Sequence, residues 1–146
     1  ATVLPYDPIK KKILLLKQFR AGIMSKGNHD PTIIEVVAGM IDEGETPEEA
    51  AKRECLEETG CEIKKIKEIY SYYPAPGSSS SYYHFFLAEV DAFEEERIVG
   101  EKHENEDIQV KSYSIEEVKK MLRERKIING VTLISLQWFF LEYYKS

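Results

Sequence analysis

The stretch Gly39 to Cys61, GMIDEGETPEEAAKRECLEETGC, decides how the rest of the chain is read. At its centre Arg53-Glu54-Cys55-Leu56-Glu57-Glu58 places three carboxylates within five residues. A helix turns by about 100° per residue, so Glu54, Glu57 and Glu58 share one face. Like charges three and four positions apart repel, at roughly 0.2–0.5 kcal/mol per pair. With Glu45 close by, such a stack calls for a neutralising partner. Clustered carboxylate oxygens suit a hard divalent cation, and Mg²⁺ is typically held by one or two carboxylates plus substrate phosphates. The competing reading is the solvated acidic face of a Glu-rich helix.

The helix is bounded by local chemistry. Thr46 suits the N-cap, Pro47 the first helical position, and Glu49 completes a Thr-x-x-Glu capping box. Ala50 and Ala51 propagate the helix, and Gly60 is placed to end it in a left-handed cap. Upstream, Ile33 to Ala38 has the composition of a single strand, and Gly39 to Gly44 that of a tight connection. Strand, glycine-bounded loop and acidic helix together form a plausible frame for metal and phosphate.

Gly39, Glu45 and Arg53-Glu54-x-x-Glu57-Glu58-x-Gly60 resemble the Nudix box at all seven of its fixed positions. Cys55 and Cys61 stand where that box usually carries bulky aliphatics, a substitution compatible with small buried hydrophobes. So many matched positions set the solvated-face reading aside.

At 146 residues the chain is expected to form one domain, 1–146, with a core that needs no staples. A net charge of −6, with no Lys/Arg run longer than Lys10 to Lys12, argues against a nucleic-acid surface. Cys55 and Cys61 read as reduced core residues of a cytoplasmic protein and not as a disulfide or metal pair. No signal peptide and no apolar run of membrane-spanning length is present, and no repeat or internal boundary. The chain opens at Ala1, directly in a predicted strand, so an upstream segment is expected to have been removed.

The remaining elements follow in order. Thr2 to Leu4 is a short strand leading to a turn at Tyr6 to Pro8, and Lys12 to Phe19 is a buried strand by its apolar run. Residues 21–31 form a loop. Glu62 to Tyr73 and Tyr82 to Val90 are strands around a Pro74–Ser81 turn, and Asp91 to Asp107 is an acidic mobile loop. Ile108 to Tyr113 is a strand, and Ser114 with Glu117 caps the next helix. Gly130 to Tyr144 is a last helix, apolar on most of its circumference; it is assigned to the core, with a subunit contact as the alternative. Strands that outnumber helices without regular alternation give an α+β class.

The likeness to the Nudix family extends past the box, and it is strongest to the ADP-ribose pyrophosphatase branch. Leu14 to Arg20, Glu35 to Ile41, Pro76 sixteen residues after Gly60, Glu104 to Ile108 and Val131 to Trp138 carry it. It implies an α/β/α sandwich with a mixed sheet, and Mg²⁺-dependent hydrolysis of ADP-ribose to AMP and ribose 5-phosphate. Mn²⁺ is a substitute, with two or three ions per site. The alternatives are hydrolysis of another nucleoside-diphosphate sugar such as GDP-mannose, or a non-catalytic module that senses ADP-ribose. All four box acids are intact, which argues against the module. The expected partner is a small nucleotide sugar, with no nucleic acid and no membrane, in a homodimer. The family's N-terminal segment, which builds a small swapped sheet and contributes to the adenine pocket, would precede Ala1. Ser81 departs from the glutamate that many relatives carry there.

Candidate site residues follow from the two readings together. Glu54, Glu57 and Glu58, with the Ala38 carbonyl implied by the resemblance, are the metal ligands. Arg53 buttresses Glu45 or Glu57, the alternative being a surface ion pair. Arg20, at a strand end, is a phosphate clamp by its fork, or else a solvated terminus. Gly39, Pro76 and Gly77 belong to the substrate-binding set. The resemblance places the base on the late loop, where Glu104 is preferred over Glu106. His29, His84 and His103 are assigned structural or solvated positions. Tyr72, Tyr73, Tyr82 and Tyr83 either stack a base or pack, and packing is the commoner use of tyrosines on strands.

Overall fold

Ile13, Leu14, Leu15 and Leu16 are all buried, and they face alternately to two different cores. A strand with both faces covered needs an unbroken apolar run, which is why Lys12–Phe19 carries one. The computed structural model describes residues 1–20, 32–94, 96–99 and 108–145. Its strands are β1 (Thr2–Asp7), β2 (Lys12–Phe19), β3 (Thr32–Glu35), β4 (Val37–Ala38), β5 (Lys65–Tyr72), β6 (Tyr83–Glu89), β7 (Arg97–Val99) and β8 (Ile108–Ser114). Its helices are α1 (Pro47–Thr59), α2 (Ile115–Arg123) and α3 (Gly130–Trp138), the last running on into a π-helical turn at Phe139–Tyr143.

The strands form one mixed sheet in the order β5-β6-β1-β2-β8-β7, with β3 beside β2 and β4 beside β1. β1 runs parallel to β6, and the other pairs are antiparallel. Val3, Leu14, Leu16, Phe86 and Val110 meet Ala51 and Cys55 of α1 on one face. Leu4, Ile13, Leu15, Phe85 and Leu87 meet Val118 of α2 and Leu136 of α3 on the other. Helices on both faces of a mixed sheet give the α/β/α sandwich.

Several elements differ from the sequence reading. Residues 33–38 are two strands and not one: β3 pairs with the end of β2, then the chain bends at Val36 and β4 pairs with the start of β1. The Val36 N–H leaves the ladder and donates to the Thr132 hydroxyl at 3.1 Å. β1 extends to Asp7, and Pro5 sits on that edge between the stretch paired to β4 and the stretch paired to β2, where a missing N–H costs no ladder bond. The Asp91–Asp107 region contains β7, a three-residue edge strand on β8, so it is not loop throughout. The last helix changes to π geometry at Phe139, closed by Tyr144 N–H to Phe139 O at 2.8 Å. Leu136 and Phe139 are fully buried there, Phe139 edge-on to Tyr6 at 4.9 Å, so this face of the segment is core, whereas Ile134 and Leu141 are exposed. Among the described residues, no helix is long and apolar enough to cross a membrane.

Candidate active site

α1 holds its carboxylates still because both of its ends are tied. The Thr46 hydroxyl accepts the Glu49 N–H at 3.1 Å, as a capping box requires. Gly60 adopts φ 75°, and its N–H returns to Leu56 O at 2.8 Å. The buried Thr59 hydroxyl donates to Cys55 O and accepts from Cys61 N–H. Cys55 and Cys61 are free and buried, and burial pushes the Cys55 thiol up to about 12, so it is a packing group and not a nucleophile.

Arg53 is the hub of the polar face. Its Nε and Nη2 grip the two Glu45 oxygens at 2.8 and 2.9 Å. Its Nη1 bridges Glu54 at 2.8 Å and Glu57 at 3.3 Å, and its Nη2 also reaches the Met40 carbonyl at 3.0 Å. The Glu45 carboxyl is held down to about 2, first by the Arg53 hydrogen bonds and then by the Asp42 N–H. Glu54 is pushed above the usual carboxylate range by burial, against the pull of Arg53; Glu57 adds repulsion and a hydrogen bond links it to Glu58. Two adjoining acids, one of them raised, on a helix face that also carries Glu57, form a hard-oxygen set of the kind a divalent cation takes. Among the described residues, no three acidic, His or Cys side chains converge on one point as placed. Arg53 Nη1 lies between the Glu54 and Glu57 oxygens, and Glu57 is exposed enough to rotate. The donor chemistry therefore fits the implied metal.

Gly39 has a role that its place in the sequence did not reveal. A Cβ at Gly39 would fall on the Glu54 carboxyl group, so the missing side chain is what lets Glu54 close over the strand end. The Gly39 backbone is itself fixed, with its N–H on Ala1 O at 3.0 Å and its carbonyl receiving Ala1 N at 2.8 Å. Ala38, exposed beside it, and Gly39 open onto a cleft of about 460 Å³ whose other lip is Tyr82 and Tyr83. That volume lies in the usual range for a small-ligand site.

The other sequence candidates fall elsewhere. Arg20 directs its fork at Glu35, at 2.8 and 3.1 Å, and Glu35 also accepts from Asn129 Nδ2 at the N-terminus of α3. Pro76 and Gly77 lie in an exposed turn and are not among the residues lining the cleft, which Ser81, Tyr82 and Tyr83 enter in their stead. His84 Nδ1 is shared between Glu68 at 2.8 Å and Ser71 at 3.1 Å. Both partners meet the same nitrogen, so this is a positioned histidine and not a relay. Tyr72 and Tyr83 pack on each other, whereas Tyr73 and Tyr82 stand exposed. Glu104 and Glu106, with His29 and His103, lie outside the described residues. Glu35 and Met40 were not named as site residues from sequence, and a lone acid inside an apolar strand was the only signal for Glu35; Tyr82 was one of four tyrosines read as either stacking or packing.

A family model described as NUDIX domain matches residues 1–131. The ADP-ribose pyrophosphatase of Escherichia coli (strain K12) is 38% identical over 143 residues, covering 98% of this chain and 68% of that protein. The ADP-ribose pyrophosphatase of Haemophilus influenzae is 36% identical over 145 residues, covering 98% and 67%. The GDP-mannose pyrophosphatase of Salmonella paratyphi A is 36% identical over 138 residues, covering 94% and 71%.

Proposed function

The chain belongs to the Nudix family of pyrophosphohydrolases, and we propose that its own reaction is the hydrolysis of ADP-ribose to AMP and ribose 5-phosphate. The observation that carries this is the trio Glu54, Glu57 and Glu58 on one capped helix, with Glu54 seated on Gly39 at the mouth of the cleft. Mg²⁺, or Mn²⁺ in its place, would be held by these three carboxylates and the Ala38 carbonyl. When bound, two or three such ions neutralise the diphosphate oxygens and acidify a water for in-line attack.

The residues of the chain supply the rest. Arg53 fixes the Glu45 carboxylate through both its oxygens and ties the Met40 backbone to the helix. Glu104, with Glu106 as the alternative, takes the proton from the attacking water. Arg20 reaches a substrate phosphate by exchanging part of its fork on Glu35, and Pro76 and Gly77 approach the ligand only by movement of their turn. We place the enzyme in the cytoplasm as a homodimer; reduced, buried Cys55 and Cys61 suit that compartment.

The second reading is a GDP-mannose hydrolase, favoured by the 36% identity to such an enzyme. A panel of ADP-ribose, GDP-mannose, NADH and diadenosine polyphosphates with Mg²⁺ decides, with product monophosphates as the readout. Highest kcat/KM for ADP-ribose supports the proposal, and highest kcat/KM for GDP-mannose replaces it. Binding without any turnover makes the chain a sensing module. Glu104→Gln should lose far more kcat than Glu106→Gln; equal small losses would remove the base from this loop.

A further inference from the structure

The face of the sheet turned away from α1 carries a row of cations. Side chains two apart on a strand share a face, so Lys17 of β2 points the same way as Ile13 and Leu15, which pack under α2 and α3. Ile13 and Leu15 are buried there, whereas Lys17 is exposed. Its cross-strand partners Gln109 and Ile34 lie on that face too, and so does Lys111, opposite Leu15. Two cavities adjoin at Lys17. The smaller, of about 120 Å³, is lined by Lys17, Glu96, Gln109, Lys111 and Tyr113. The larger, of about 400 Å³, sets Lys17, Arg125 and Lys126 around Ile33, Ile34 and Ile128. That volume suits a small ligand.

The charges of this groove are uncompensated. Among the described residues, Lys17, Lys111 and Arg125 form no ion pair, and only Lys126 has a carboxylate near it, Glu124 at 3.6 Å. Glu96 is the only acid among the described residues that line the two cavities. Like charges on one face of adjacent strands repel, and here they gather in a chain whose net charge is −6. The cations are also held in place. Arg125 takes a left-handed φ of 60°, and both its N–H and its Nη1 donate to the Leu122 carbonyl at 3.2 Å. The Lys126 N–H donates to Met121 O at 2.9 Å, and the Lys111 ammonium sits over the Tyr113 ring at 5.1 Å. Groups positioned before a ligand arrives lose less freedom on binding it.

We infer that this groove is a second binding site, for a small anion carrying two or more phosphate groups. Its cations come from three elements, β2, β8 and the connection between α2 and α3, so a single phosphate cannot meet them all. The isoleucines accept the uncharged body of such a ligand. A nucleic acid fits less well: the only aromatic ring lining either cavity among the described residues, Tyr113, is already covered by Lys111, which leaves no platform for a base. The groove and α1 lie on opposite faces of the sheet, so both sites can be filled at once.

Isothermal titration with inorganic tripolyphosphate, on protein dialysed free of divalent cations, reads the groove apart from metal and turnover. Lys17→Gln and Arg125→Gln should each weaken binding about fivefold, the upper end for one exposed ion pair, and together about 25-fold. Both side chains are exposed, so these variants should melt as the wild type does. Lys64→Gln, just before β5 at the far edge of the sheet, should stay within about twofold because distant charges are screened. Arg20→Gln, which removes the proposed substrate clamp, should lose less than Lys17→Gln. Orthophosphate should bind at least about fivefold more weakly than tripolyphosphate, having fewer cations within reach. No measurable tripolyphosphate binding by the wild type overturns the inference, as does an equal loss in Lys64→Gln or a larger one in Arg20→Gln. Tighter binding of a single-stranded RNA through Lys17 and Arg125 overturns the small ligand and makes the groove a nucleic-acid surface.

Discussion

Replacing Gly39 by alanine adds one methyl group where the structure has no room for it. The new carbon would lie 2.5 Å from Glu54 Cγ and closer still to the carboxyl group. Non-bonded carbons rest at about 3.5–4.0 Å, so Glu54 must retreat by about 1 Å or more. Gly39 cannot yield in its place, because its N–H and carbonyl are both committed to Ala1. A misplacement of about 1 Å at a reacting centre costs on the order of 100-fold, and kcat should fall by about that factor. Stability should suffer far less. The obstructed group is the far end of a side chain, so the cost sits near the low end of the overpacking range, about 1 kcal/mol. In a chain of this size that lowers Tm by about 2–4 °C. The assay is kcat at saturating ADP-ribose across a Mg²⁺ titration, with a thermal melt alongside. A variant that keeps kcat within about threefold, or loses activity only as its folded fraction falls, would refute the assignment of Gly39 to the seating of Glu54.

Glu57→Gln and Glu58→Gln should each lower kcat on the order of 10²–10³-fold with Tm little changed, since each removes a charged oxygen from the site; full turnover in either, measured at saturating Mg²⁺, removes that residue from the ligand set. Arg53→Lys keeps the charge but cannot grip both Glu45 oxygens while holding the Met40 carbonyl. It should lose kcat by about 10- to 100-fold, and wild-type kinetics would show that charge alone suffices. Asp7→Asn should destabilise the fold by about 1–3 kcal/mol in a urea titration, because its two carboxylate oxygens accept the Ile9, Lys10 and Ala92 N–H groups. Burial pushes the Asp7 carboxyl up, but the three backbone donors outweigh it and hold it below its usual value. A depressed carboxylate stabilises the fold above its unfolded pKa, near 3.9, and that contribution is lost as pH falls through the folded value. The stability gap between wild type and Asp7→Asn should therefore close in acid; a gap that is constant down to pH 2 contradicts the role.

The parts legible in the sequence were those set by local rules. α1 could be read to its end residues because Thr46, Pro47, Glu49 and Gly60 act within a turn of where they stand. The carboxylate trio followed from helical spacing alone. The break at Val36 could not be read, because residues 33–38 carry no glycine, proline or other turn signal and the Val36 N–H is taken by Thr132, far along the chain. β7 escaped because a three-residue edge strand carries no periodicity of its own. The π turn at Phe139 depends on how five closely spaced aromatics pack against Tyr6 and one another. At the site, Gly39 matched a motif position, but its physical task appears only when Glu54 is seen resting on it. Arg20 was identified by its fork, and its partner Glu35 was hidden in what looked like a plain strand. Tyr82 could not be told from the packing tyrosines until the cleft separated the exposed rings from the covered ones.

Whether the acidic face of α1 holds divalent cations against a diphosphate is read by anomalous diffraction from Mn²⁺ in crystals grown with a non-hydrolysable ADP-ribose analogue. Manganese peaks are expected within about 2.0–2.3 Å of Glu54, Glu57 and Glu58 oxygens and of the Ala38 carbonyl, beside the diphosphate. Manganese bound elsewhere, with Arg53 still spanning Glu54 and Glu57 beside bound nucleotide, would contradict it.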